Sequence, residues 1–166
     1  MTGNKTYNVL FLCTSNCARS IMAGVLMRYW GKGRFQAFSA GSHPRGEVHP
    51  LALATIRLLG LPTEGLRSKS WDEFAGPDAP QMDFVFAVCD QVAGEECPVW
   101  PGHPITAHWG IPDPAAIEGA PEERARAFWR ALREIENRIR LFQSLPLKEL
   151  DRMSIKQHLD EIGRRQ

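Results

Sequence analysis

Residues 82–89 read Met-Asp-Phe-Val-Phe-Ala-Val-Cys, and residues 7–13 read Tyr-Asn-Val-Leu-Phe-Leu-Cys. A strand with one wet face alternates apolar and polar residues. Runs this continuous suit strands covered on both faces, as in parallel sheets. Two such strands oblige the rest of the chain to supply helices for each side.

The intervening sequence does so. Helical spacing predicts a helix over Arg19–Gly31, with Ala18, Met22, Val25 and Tyr29 on its inner face. Phe35–Ala40, closed by Gly41, reads as a second strand. A helix over His49–Leu59 has Pro50 in its first turn and Gly60 as its stop. Residues 61–81 are loop-rich, with a capping pattern at Ser70 and Glu73. After the third strand, Met82–Cys89, six prolines fall in the stretch that ends at Pro121: Pro98, Pro101, Pro104, Pro112, Pro114 and Pro121 itself. A fourth strand is expected at Ile105–Trp109. A long irregular segment of this kind is ordered and functional or else disordered; Trp100 and Trp109 favour order. Pro121–Phe142 is a helix with Phe128, Leu132, Ile135, Ile139 and Phe142 on one face, and a last helix spans Ser154–Ile162.

Alternating strands and helices imply an α/β fold with right-handed crossovers. Four strands suit a small doubly wound parallel sheet, order 2-1-3-4, with helices on both faces. Strands one and three are then neighbours, about 4.8 Å apart. Ligands bind at the carboxyl ends of such strands, where Cys13 and Cys89 both lie.

The 166 residues fit one domain, 1–166. With 20 basic and 19 acidic side chains the net charge is +1, which gives no reason to expect nucleic acid or an anionic membrane as partner. No apolar run approaches the ~18 residues that cross a bilayer, and Val9–Leu12 is too short for a signal peptide. The expected location is the cytoplasm. In a reducing compartment the four cysteines are not expected to form structural disulfides; metal binding or thiol chemistry is the expected use.

Cys13 is followed six positions later by Arg19, then Ser20, in a loop joining an apolar strand to a helix. Unpaired N–H groups at a helix start point at whatever fills such a loop, and the helix dipole favours negative charge there. Arg19 can add a bidentate fork for two oxygens. The same field is expected to lower the pKa of Cys13. The ensemble reads as a nucleophilic sulfur at the base of a cradle, Thr14, Ser15, Asn16, Cys17, Ala18, Arg19 and Ser20, for a tetrahedral oxyanion.

The segment Cys13-Thr14-Ser15-Asn16-Cys17-Ala18-Arg19-Ser20 resembles the C-T-G-N-x-x-R-S loop of the low-molecular-weight protein tyrosine phosphatase family, which includes thiol-coupled arsenate reductases. Ser39-Ala40-Gly41 and Asp113-Pro114 are further matches, and the resemblance spans roughly Tyr7 to Phe142. Ser15 replaces the usual Gly, which puts a side chain where the backbone bends. Ala18 stands where many members have a second Cys. Gly24 lies where potassium-binding relatives are expected to carry an acidic ligand.

The resemblance implies a phosphotyrosine phosphatase I-like fold. It also implies thiolate attack on the oxyanion, with Asp113, between Pro112 and Pro114, protonating the leaving oxygen. Three features favour arsenate over a phosphotyrosine. Ala115 and Ala116 follow Asp113-Pro114, where the phosphatases usually have wall tyrosines. Cys89 can resolve an arseno-thiol at Cys13. Cys97 can take over the Cys13–Cys89 disulfide, helped by a flexible Ala93-Gly94, once the Cα atoms come within about 7 Å. The expected activity is reduction of arsenate to arsenite, with phosphate or sulfate as competing oxyanions. No tightly bound cofactor is expected; an external thiol, thioredoxin or glutaredoxin with glutathione, recycles the enzyme. Cys17 is a competing resolver. The alternatives are a tyrosine phosphatase of the same fold and a non-catalytic oxyanion or thiol sensor. Cys89, Cys97, His103 and His108 can be written as a zinc set, but the seven residues between the cysteines exceed the usual two to four, so no metal is expected. His43 and His49 are expected at the pocket rim, and Trp71, Trp100 and Trp109 in the core.

Overall fold

The computed structural model describes residues 5–95, 97–98 and 100–164. In chain order the elements are β1 (Tyr7–Cys13), α1 (Arg19–Trp30), β2 (Phe35–Gly41), α2 (Pro50–Leu58), β3 (Phe84–Ala87), α3 (Asp90–Ala93), β4 (Ile105–His108), α4 (Pro121–Gln143) and α5 (Arg152–Arg164). The strands form one parallel sheet in the order β2-β1-β3-β4. The fold class expected from the two apolar runs is the one observed.

Each face of the sheet has its own cover, and this explains the unbroken runs. Phe11 and Phe86 stack on one face with Trp109 and with Phe142 of α4. Phe35 and Phe84 join the same cluster. On the opposite face Phe38 meets Phe74 of the 71–74 turn, and Leu12, Val85 and Ala87 face Val92 and Trp100. Along α4, Phe128, Leu132, Ile135, Ile139 and Phe142 are all buried. Each such aromatic or aliphatic side chain contributes about 1.5–3 kcal/mol through burial.

Three local expectations change. α1 was expected to be one-sided, with Tyr29 inward. Instead every residue from Ser20 to Met27 is buried and Tyr29 is 56% exposed. The helix is wedged between β1, β2 and α4, so its first two turns are covered all round and Tyr29 lies beyond the cover. β3 ends at Ala87 rather than Cys89. The Val88 N–H still reaches the Leu12 carbonyl (2.8 Å), but Cys89 turns out of the ladder to cap α3. α3 has four residues, too few to leave a periodic signal in the irregular stretch predicted there. β4 ends at His108. Trp109 follows it, 1% exposed, with its indole N–H on the Leu159 carbonyl (3.0 Å). Trp100 is buried and Trp71 half-buried.

Candidate active site

β1 delivers Cys13 at its carboxyl end, and the chain turns through residues 14–18 into α1. Three of the loop's carbonyls are taken by residues that follow in the chain. Thr14 accepts from the His43 N–H (2.8 Å), Ser15 from the Arg45 N–H (2.9 Å) and the Ser68 hydroxyl (3.1 Å), and Cys17 from the His49 N–H (2.8 Å). Among the described residues, the N–H groups of Thr14 to Ala18 have no protein acceptor. Ala18, the residue before α1, carries no capping side chain. The donors are therefore left for an anion, and the helix dipole adds to them.

Asn16 holds the turn. It is fully buried with φ +46°, a left-handed conformation that Asn tolerates better than most residues. Its side-chain N–H donates to the Ser20 hydroxyl (2.7 Å) and its carbonyl accepts from the Lys69 N–H (2.9 Å). Ser20 Oγ in turn lies 3.0 Å from Cys13 Sγ. Gly41 closes the back. A Cβ there would stand 2.5 Å from the Thr14 carbonyl oxygen and 2.9 Å from that of Cys13, which gives the Ser39-Ala40-Gly41 match a steric meaning.

The pKa expectation for Cys13 is corrected. Burial pushes the thiol above its ordinary value, and the Ser20 hydroxyl, the Ser20 N–H and Arg19 only partly pull it back. The local field is as expected, but the thiol is 1% exposed, and loss of hydration outweighs that field.

Arg19 donates from one terminal nitrogen to the Ile111 carbonyl (2.9 Å), and the other is 3.8 Å from the Asp113 carboxylate. Asp113, between its two prolines, accepts from the Ala115 N–H (2.9 Å) and starts the 114–116 turn. Cys89 is buried beside the loop; Thr14 Oγ1 lies 3.6 Å from its sulfur, which accepts from the Val92 N–H (3.4 Å). Cys97 stands apart, exposed, its thiol donating to the Glu95 carbonyl (3.7 Å). Burial and the Glu95 charge raise its pKa. Cys17 is buried against the Ser15 hydroxyl (3.1 Å). His49 caps α2, its Nδ1 accepting from Leu51, and lies on Phe128. Burial, Arg124 and Arg45 lower its pKa. Among the described residues no three His, Cys, Asp or Glu side chains gather as a metal site would require.

A family model described as low molecular weight phosphotyrosine protein phosphatase matches residues 8–155. The chain belongs to that family. Within it, an arsenate reductase of Shouchella clausii is 33% identical over 134 residues, 81% of this chain and 93% of its own. A crystal structure of an arsenate reductase from Archaeoglobus fulgidus superposes with a TM-score of 0.65 at 28% identity, covering 82% of this chain and 99% of that one. A Corynebacterium glutamicum thioredoxin-dependent arsenate reductase shares the fold at a TM-score of 0.56 and 24% identity, covering 84% and 65%.

Against the phosphatase-family pattern, Ser15 is tolerated because the bend does not need glycine there. The left-handed residue of the loop is Asn16, and Ser15 keeps a negative φ. The potassium site of some family members does not fit this chain. A cavity of about 310 Å³ beside Gly24 is lined by Arg28, Arg67 and Lys69, with Glu73 their carboxylate. Three cationic side chains repel a metal cation. Lys69 and Ser39 are side chains at the back of the loop that sequence reasoning missed as contributors. The Ser39-Ala40-Gly41 match was the one signal pointing there.

Proposed function

We propose that this protein reduces arsenate to arsenite. The observation that carries the reading is the buried Cys89 thiol beside the Cys13 loop, in contact with Thr14, where a phosphatase needs no second thiol. The alanines after Asp113-Pro114 support it, since they build no aromatic wall for a phosphotyrosine ring.

Arsenate is bound by the N–H groups of residues 14–20 and by Arg19. Cys13 sulfur attacks arsenic; its proton passes to the dianionic substrate, and Asp113 protonates the departing oxygen, which leaves as water. The product is a Cys13 arseno-thiol, still As(V). Cys89 sulfur then attacks Cys13 sulfur. The S–As electron pair stays on arsenic, arsenite leaves as As(III), and a Cys13–Cys89 disulfide remains. Cys97 attacks Cys89, which frees Cys13 and leaves a Cys89–Cys97 disulfide. A thiol carrier, thioredoxin or glutaredoxin, reduces it, so two thiols supply the two electrons. Among the described residues no helix is long and apolar enough to cross a membrane, which is compatible with a cytoplasmic site of action.

The test follows NADPH loss on arsenate addition with a thioredoxin or glutaredoxin recycling system, for wild type and for Cys13→Ser, Cys89→Ser and Cys97→Ser. Arsenate-dependent turnover lost in all three supports the scheme. Brisk aryl phosphate hydrolysis without arsenate turnover makes the protein a phosphatase. Inactivity in both assays makes it a sensor. Full activity in Cys89→Ser moves the resolving role to Cys17 or an external thiol.

A further inference from the structure

Lys69 is a half-buried cation that the scheme above leaves without a role. Its ammonium donates to Ser39 Oγ (3.1 Å) and to the Arg67 carbonyl (3.0 Å). Arg67 faces it from its own loop, Arg28 from α1 and Glu73 from the 71–74 turn. Glu73 is already engaged by both terminal nitrogens of Arg67, at 3.0 and 2.6 Å. Burial first, then Arg67 and Arg28, lower the Lys69 pKa to about 8. An ammonium kept at such a place opposes folding, so a return for it should be visible nearby.

The return is in the backbone of the same residue. The Lys69 carbonyl accepts from the Gly41 N–H (2.9 Å), and the Lys69 N–H donates to Asn16. From Asn16 the chain of contacts runs through Ser20 to Cys13. We propose that Lys69 is a positioning residue for the Cys13 loop. Its ammonium ties Ser39 to the Arg67 carbonyl and so aims the Lys69 N–H at the Asn16 amide that holds Ser20 against Cys13. A covalently attached cation thereby takes the place of the metal ion that this cavity excludes. The proposal rests on Cys13 being the nucleophile of an oxyanion loop, and not on which oxyanion it attacks.

The arrangement makes loop order sensitive to pH. As pH rises through about 8 the ammonium loses its proton, and with it the charge that holds the two acceptors. Stability moves the other way. The folded pKa is below the unfolded one of 10.5, so between the two values the unfolded chain binds more protons, and this group's contribution to stability improves with pH. A loss of anion binding in that window therefore does not come from Lys69-linked unfolding.

The test measures alkylation of Cys13 by iodoacetamide, resolved by peptide mass spectrometry, and its protection by inorganic phosphate. Wild type, Lys69→Met, Lys69→Arg and Ser39→Ala are compared from about pH 7 to 9, with thermal melts as a check on folding. We expect Lys69→Met to weaken phosphate protection about tenfold at neutral pH and to lose the further weakening that wild type shows above about pH 8. Lys69→Arg, charged throughout, should keep protection at the alkaline end, and Ser39→Ala should resemble Lys69→Met. Exchanging sodium for potassium should leave the wild type unchanged. Protection in folded Lys69→Met within about twofold of wild type at every pH overturns the proposal. So does a potassium requirement in the wild type. If Lys69→Met does not fold, Ser39→Ala decides by the same criterion. Phosphate that fails to protect wild-type Cys13 overturns the underlying oxyanion-loop reading instead.

Discussion

Two thiol-bearing segments meet at the end of the sheet, and they are built by opposite rules. The loop from Cys13 to Ser20 is largely buried and held on its carbonyl side: carbonyls of Thr14, Ser15 and Cys17 are taken by residues 43, 45, 49 and 68, and Asn16 and Ser20 brace it from within. The segment from Cys89 to Cys97 runs from a buried thiol through a four-residue helix anchored by Val92 to the exposed thiol of Cys97. It lies over a cavity of about 470 Å³ between α3 and the sheet. The contact tying its start to β4, Asp90 with His108 at 2.9 Å, is solvent-exposed and worth at most about 1 kcal/mol. An anion cradle works only if its donors are fixed before the substrate arrives. A thiol that must carry oxidation away has to leave its place. The contrast predicts that substitutions in the first segment cost stability and chemistry together, while those at the exposed end of the second, around Cys97, cost turnover alone.

Asn16→Ala should break the tight side most severely. It removes two side-chain hydrogen bonds, leaves the Lys69 N–H unpaired and the Ser20 hydroxyl with only its Cys13 contact, and places Ala at a positive φ. We expect a loss of about 3 kcal/mol, read as a melting temperature lower by about 6–12 °C, together with loss of phosphate protection at Cys13. A melt unchanged within about 2 °C would mean that the loop is not braced through Asn16.

Gly41→Ala comes next. Its added methyl meets the Thr14 and Cys13 carbonyl oxygens, backbone atoms that cannot rotate away. The cost should be about 1–3 kcal/mol, with arsenate turnover reduced about 100-fold by displacement of the loop. Normal turnover in a destabilised Gly41→Ala protein would separate the packing of the loop from its chemistry.

Much of this contrast was legible in the chain itself. The two apolar runs required a doubly covered parallel sheet, and the sheet order put Cys13 and Cys89 at one end. The spacing from Cys13 to Arg19 marked the loop because a strand and a helix flank it. What stayed hidden depends on distant residues. The raised pKa of Cys13 follows from its burial in the folded chain, and local charges in the sequence point the opposite way. Lys69 sits in a stretch without periodicity, and its burial comes from Arg28 and Ser39 on other elements. α3 was too short to announce itself. Ser15 looked costly only until Asn16 proved to carry the left-handed bend.

That last point gives a smaller test on the tight side. Ser15→Gly restores the phosphatase-family residue, yet nothing in the backbone asks for it. The substitution should destabilise by about 0.5–1 kcal/mol through added freedom in the unfolded chain and through loss of the contact with Cys17. Turnover should stay within about threefold of wild type. A clear gain in either would show that the serine strains the loop.

Cys97→Ala should have the least effect on folding and is the sharpest probe of the loose side. The thiol is exposed and makes one weak hydrogen bond, to Glu95, so stability should change by no more than about 0.5 kcal/mol. In the proposed scheme the first turnover needs only Cys13 and Cys89, and a stoichiometric burst of arsenite should survive. Steady-state turnover should then stop, because Cys13 and Cys89 are both buried and a disulfide formed between them would be out of a carrier protein's reach. Glu95→Gln supplies the converse. Removing the charge that helps hold the Cys97 pKa up should increase the thiolate fraction at neutral pH and quicken Cys97 alkylation, with the arsenite burst left as it was. If Cys97→Ala turns over normally, oxidation leaves the site by another route. If it loses the burst as well, Cys97 takes part in the chemistry rather than only in its clearance, and the division of labour between the buried thiols and the exposed one falls.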